Sequence, residues 1–133
     1  MDMSMFTSFD GRINRQKWWL GLIALVVVQW IVMLVLGMLF GGGMMATVDP
    51  ANPEASAGAM MAMLIPIIIV TLLFLWPSLA IYAKRWHDRG KSGWWTLIML
   101  IPLVGPIWAL VELGFLRGTD GPNQYGPDPL AGA

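Results

Sequence analysis

The chain contains no cysteine, which excludes disulfides, thiolate nucleophiles and zinc–thiolate sites together. It has one histidine, His87, too few for the usual zinc site. Charge is scarce too. Charged residues make up 12% of the 133 residues, and the net charge is zero. An ordinary soluble domain carries about 25%. No global field draws such a chain to nucleic acid or another polyanion, so electrostatic arguments must be local. There is also no internal repeat and no coiled-coil heptad.

What is abundant is apolar. Hydrophobic residues are 57% of the chain. A water-soluble protein of this length has too little interior to hide them, and lipid is the natural solvent for the excess. Segments 18–40 and 59–83 hold no formal charge, and segment 94–115 holds only Glu112. A helix needs roughly 20 apolar residues to cross about 30 Å of hydrocarbon, so all three qualify. The first is longer than the roughly 7–15 residues of a signal-peptide core and reads as an uncleaved anchor.

Basic residues alternate between the flanks. Arg12, Arg15 and Lys17 precede the first segment, and Lys84, Arg85, Arg89 and Lys91 fill the loop at 84–93. The loop at 41–58 has none, only Asp49 and Glu54. The positive-inside rule then makes the N-terminus and the 84–93 loop cytoplasmic. Pro102 and Pro106 interrupt the third segment, which predicts a kink, or re-entry if protein shields its backbone. A full crossing sends the tail outside; re-entry returns it.

Local signals set the boundaries. Asp10-Gly11 reads as a turn, and Asn14 caps a helix from Arg15. The 41–58 loop, rich in Gly, Ala and Pro, reads as flexible and without chemistry. Pro66 and Pro77 predict local kinks in the second helix. Gly90 suits the left-handed position that ends that helix, and Ser92 caps the next at Gly93-Trp94-Trp95. The division is an N-terminal amphipathic interfacial helix in 1–17, helix 18–40, outer loop 41–58, helix 59–89, tight turn 90–93, helix 94–115 and tail 116–133. One domain contains them all.

Each constellation has a plain reading beside the chemical one. On a helix Lys84 faces Asp88, and Arg85 shares a face with Arg89. That arginine pair suits a lipid phosphate. Topogenic charges that snorkel to the interface explain the same residues and are favoured. His87 and Asp88 point about 100° apart, so Asp88 pairs with Lys84 or an N-terminal arginine. No Ser–His–Asp or paired-carboxylate arrangement is present. Glu112, near its helix end, reads as a satisfied interfacial carboxylate. Segments one and two offer no second ionisable group for a proton relay; Gln29 and Thr71 are their main polar members. Trp18, Trp19, Trp76, Trp86, Trp94 and Trp95 read as an interfacial belt. Met44-Met45 and Met60-Met61 have soft-metal donors, but packing is the reading adopted.

The stretches "FDGRINRQKWWLG", "AKRWHDRGKSGWWTLIMLIPLVGPIW" and "RGTDGPNQYGPDP" carry a wider pattern. Together the chain resembles the bacterial domain of unknown function 805 family of small inner-membrane proteins. The resemblance covers nearly everything but 41–58. It places Arg12, Arg15, Arg85, His87, Asp88, Ser92, Gly93, Trp94, Asn123, Tyr125, Gly126, Asp128 and Pro129 on family positions. Orientation alone does not require that order, so the pattern implies a structured surface or a binding site.

The expectation is an all-α membrane protein of the bacterial inner membrane. It has three apolar helices, the third kinked or re-entrant, plus the interfacial helix. No catalytic residue, metal or cofactor is assigned. Arg12, Arg15, Arg85, His87, Asp88, Arg89, Asn123, Tyr125 and Asp128 are the binding candidates, for anionic lipid headgroups or a membrane-protein partner. Gly90, Ser92, Gly93, Trp94, Pro102 and Pro106 are structural. An oligomeric channel or transporter accessory, and a lipid-modifying enzyme using His87 and Asp88, are the alternatives.

Overall fold

The computed structural model describes residues 3–42 and 49–131, and all regular elements among them are helical. The outer-loop pair Met44-Met45 lies outside the described residues. Helix α1 is the single turn Ser4–Thr7. Helix α2 spans Arg15–Leu36 and widens into a π-helical turn at Gly37–Gly41. Helix α3 spans Pro53–Asp88. A 3-10 helix follows at Gly93–Leu100, then α4 at Val104–Ala109, which widens into a π-helical turn at Leu110–Phe115.

The caps explain these limits. The Asn14 Oδ1 accepts the Lys17 N–H at 2.8 Å and starts α2. Asn52 caps α3 by accepting the Ala55 N–H, with Pro53 in the first turn where its missing N–H costs nothing. At the far end Gly90 takes φ +79°, the left-handed conformation open to glycine. Gly90 N–H donates to His87 and Lys91 N–H to Trp86, both at 2.9 Å, closing a Schellman motif.

Two compact units result: Leu25–Leu75, and the residues up to Ala24 with those from Trp76 onward. In Leu25–Leu75 only Val70 is buried among the described residues, while Trp30, Leu34, Ile69 and Leu72 are exposed. The parent helices, Arg15–Gly41 and Pro53–Asp88, hold 27 and 36 residues. At about 1.5 Å per residue both exceed the roughly 30 Å of a bilayer core. The other unit has a true core of Trp18, Ile81, Trp86, Ala109 and Leu113.

Three expectations change. The N-terminal interfacial helix amounts to one turn, because the backbone turns extended at Ser8 and then takes the left-handed conformation at Gly11, φ +95°. Segment 94–115 is not one helix. It breaks at Ile101–Leu103, where Pro102 has no N–H and Leu103 is forced to φ +64°. Trp18 and Trp86 are only 1% and 0% exposed, so they pack the core instead of joining a belt. Trp76, Trp94 and Trp95 remain exposed.

Candidate functional site

The polar centre is built where α3 ends. Asp88 and Arg85 lie one turn apart on its last two turns, and both are buried. The Arg85 Nη1 donates to the Asp88 carboxylate. Its Nε donates to the Leu113 carbonyl and its Nη2 to the Leu116 carbonyl, each at 2.7 Å. The guanidinium therefore grips the carbonyls that end the last helical turn, where helical acceptors lack partners.

Arg12 approaches from the N-terminal flank. Its Nε donates to the Asp88 Oδ1 at 3.1 Å, and its Nη2 lies 3.0 Å from the same oxygen. The remaining donors reach the tail: Thr119 carbonyl at 2.6 Å, Gly121 at 2.8 Å and Gly126 at 3.2 Å. The Thr119 N–H in turn donates to the Asp88 backbone carbonyl at 2.6 Å. One carboxylate thus faces two guanidinium groups, and the spare donors all find carbonyls. Satisfaction of that kind is what makes a buried ion pair tolerable against its desolvation cost.

His87 faces away from Asp88, as adjacent helical residues must. Its Nδ1–H donates to the Gly11 carbonyl at 2.9 Å. The Tyr125 ring stacks on the imidazole at 4.0 Å with 6° between planes. Asn123 fixes that stack by donating from Nδ2 to the His87 carbonyl at 2.9 Å, and its Oδ1 accepts the Tyr125 N–H. Asp128 holds the tail loop by accepting the N–H groups of Gly121 and Leu130, each at 2.9 Å. Those donors, Leu130 first, keep the Asp128 carboxyl below its ordinary value.

The other candidates bind the same unit. Arg15 donates to the Phe115 carbonyl at 2.7 Å, and Arg89 donates to that of Arg117. Lys84 does not pair with Asp88 in the expected way; its ammonium donates to the Ser4 carbonyl. Ser92 caps the 3-10 helix through the Trp94 N–H, and a side chain at Gly93 would press on Ala83. Trp94 itself is exposed. Glu112 accepts from Lys91 at 2.8 Å and from the Trp108 indole at 3.1 Å, with Arg89 at 3.7 Å from its second oxygen.

Several contributors escaped sequence reasoning. Gly118 leaves no room for a Cβ beside the Asp88 carboxylate, and Thr119 supplies both a donor and an acceptor. Trp19 donates to the Gly114 carbonyl at 2.9 Å. The glycine-rich "RGTDG" was the available signal, since a glycine run permits close backbone approach. Beside this centre lies a cavity of about 220 Å³, walled by Ser4, Asp10, Gly11, Arg12, Lys17 and Lys84 among others. Among the described residues no three His, Asp or Glu side chains gather as a metal site would require.

Similarity to known proteins runs through both compact units. The family model described as "Protein of unknown function (DUF805)" matches residues 6–127. The inner membrane protein YhaH of Escherichia coli K12 is 32% identical over 125 residues, covering 93% of this chain and 88% of that protein. The uncharacterized protein YiiR of the same strain is 28% identical over 145 residues, covering 91% and 85%. The inner membrane protein YhaI is 27% identical over 132 residues, covering 96% and 91%. No solved structure matches the chain.

Proposed function

The chain belongs to the DUF805 family, and from that premise we propose that it is a multi-pass, non-enzymatic inner-membrane protein that binds anionic lipid headgroups at its cytoplasmic face. The printed names of YhaH and YhaI support the location, and the two long apolar helices support the crossing. Basic residues in both short flanks support a cytoplasmic N-terminus and 84–93 loop.

The observation that carries the binding is the cavity of about 220 Å³ walled by Lys17, Lys84 and Arg12. Asp88 is shared between Arg12 and Arg85, and Asp10 is the one carboxylate among the lining residues, so the wall retains positive charge. Lys17 is exposed and has no partner among the described residues. Anionic lipid attracts a basic residue near the surface by about 1 kcal/mol. In this reading Arg12, Arg85 and Asp88 are positioning residues that hold the cavity open, not headgroup ligands. The geometry of His87 supports a non-catalytic role: one ring nitrogen is engaged by Gly11 and one ring face by Tyr125.

Native mass spectrometry of the detergent-released protein tests this. Phosphatidylglycerol is expected to survive on the protein at voltages that strip phosphatidylethanolamine. Lys17→Ala should remove the difference without altering thermal stability. Equal retention of both lipids by the parent protein sinks the proposal.

A further inference from the structure

Segment 93–115 has its two ends in one place. Lys91, just before it, bonds Glu112 at 2.8 Å. Arg85, on the helix that precedes it, bonds the carbonyls of Leu113 and Leu116. The Trp19 indole and Arg15 hold Gly114 and Phe115 from the N-terminal side. A chain segment whose beginning and end share one polar network cannot deliver them to opposite faces of a membrane.

Its legs are also too short to cross. The 3-10 helix Gly93–Leu100 has 8 residues and rises about 16 Å at roughly 2 Å each. The return, Val104–Phe115, rises at most about 18 Å over its α-helical and π-helical stretches at roughly 1.5 Å per residue. Each is about half of the roughly 30 Å hydrocarbon core. The legs lie against each other, since a Cβ on Gly105 would strike the Ile98 carbonyl.

The tip is built for a dry medium. Leu100 and Leu103 are exposed at 77% and 79%, and Ile101, Val104 and Ile107 are exposed beside them. Four backbone donors around the break are matched: Ile101 to Ile98, Val104 to Pro102, Gly105 to Ile101 and Ile107 to Leu103. Pro102 and Pro106 have no N–H to satisfy. Irregular backbone survives at membrane depth only with such satisfaction. A shallow apolar groove follows the first leg, lined by Ser92, Trp94, Trp95, Leu97, Ile98 and Ile101.

We infer that 93–115 is a re-entrant hairpin that enters one leaflet and stops near its inner boundary. Both the N-terminal flank and the tail then lie on one face of the membrane. This stands apart from the headgroup cavity and survives its failure.

The absence of cysteine makes single-cysteine variants of the full chain clean reporters. Gln16→Cys marks the N-terminal flank, Gln124→Cys the tail, and Leu100→Cys and Leu103→Cys the tip. Inverted and right-side-out vesicles are treated with a membrane-impermeant maleimide. Gln16→Cys and Gln124→Cys are expected to react in the same vesicle orientation. The two tip variants should lose labelling in both orientations and regain it in detergent. A bimane label on either tip position should be quenched most by nitroxide lipids whose spin label sits deep in the acyl region. Reaction of Gln124→Cys in the orientation opposite to Gln16→Cys makes the segment a full crossing and overturns the inference. Full labelling of the tip in intact vesicles places it in water and overturns it equally.

Discussion

Leu25–Leu75 and the unit formed by the two chain ends are opposites in how they use their side chains. The first leaves most of its Ile, Leu, Val and Trp residues exposed, and its helices satisfy their own backbone. Its described hydrogen bonds from side chains are local, such as Thr71 to the Ile67 carbonyl and Ser56 to Asp49. The second hides Arg85, Asp88, Lys84 and Glu112 and closes itself with long-range bonds. Apolar contact gives a helix no preference for a protein neighbour when lipid is equally apolar. Directional bonds to buried charge do give one. The ionic centre is therefore where this chain acquires a specific tertiary structure.

The sharpest way to break that contrast is to remove Arg85. Arg85→Leu strands the carbonyls of Leu113 and Leu116 and leaves Asp88 with Arg12 alone. Losing one partner of a buried pair costs about 3–5 kcal/mol, so thermal unfolding in detergent should fall steeply. Arg85→Lys should not restore it, because an ammonium cannot reach three acceptors in a fixed fork. A melting temperature unchanged by Arg85→Leu would make the centre ornamental.

The next comparison pits two aliphatic residues on the same helix. Ile81 is fully buried, and Ile81→Ala should cost about 2–5 kcal/mol. Leu72 is exposed, and Leu72→Ala should stay within about 0.5 kcal/mol. Equal losses in a detergent-stability assay would erase the distinction between the units. Smaller again is Gly118→Ala, whose methyl meets the Asp88 carboxylate; overpacking there should cost about 1–3 kcal/mol, read as protease sensitivity of the tail.

The mildest effect concerns pH. The Asp128 carboxyl lies below its ordinary 3.8 in the folded tail, held by the Leu130 and Gly121 amides. Its contribution is complete above that ordinary value and disappears as pH falls through the lower, folded one. Hydrogen exchange at those two amides, corrected for intrinsic rate, should be slow at neutral pH and faster in acid. Asp128→Asn should flatten the dependence.

Much of this was legible in order along the chain, and little of it across the chain. Asn14, Gly90 and Ser92 announce their caps because capping is a matter of neighbours two or three residues apart. Composition marked both long helices for the same local reason. The sequence offers Asp88 either Lys84 or an arginine of the N-terminal flank, and the structure supplies Arg12. The carbonyl partners of Arg85 were not, because any residue can supply a carbonyl and sequence carries no sign of it. Segment 94–115 was legible in part. Pro102 and Pro106 signal an interruption, while the close approach of its two legs depends on residues that meet only in space.

The grip of Arg12 and Arg85 on the tail has a consequence for synthesis. Asp88 leaves the ribosome well before Thr119, Gly121 and Gly126, whose carbonyls complete its surroundings. Until those residues emerge, a carboxylate and two guanidinium groups lack their full set of partners. Assembly is therefore ordered in time: the two long helices first, ionic closure last. A nascent chain stopped short of Gly126 lacks one of the carbonyls that close around Arg12.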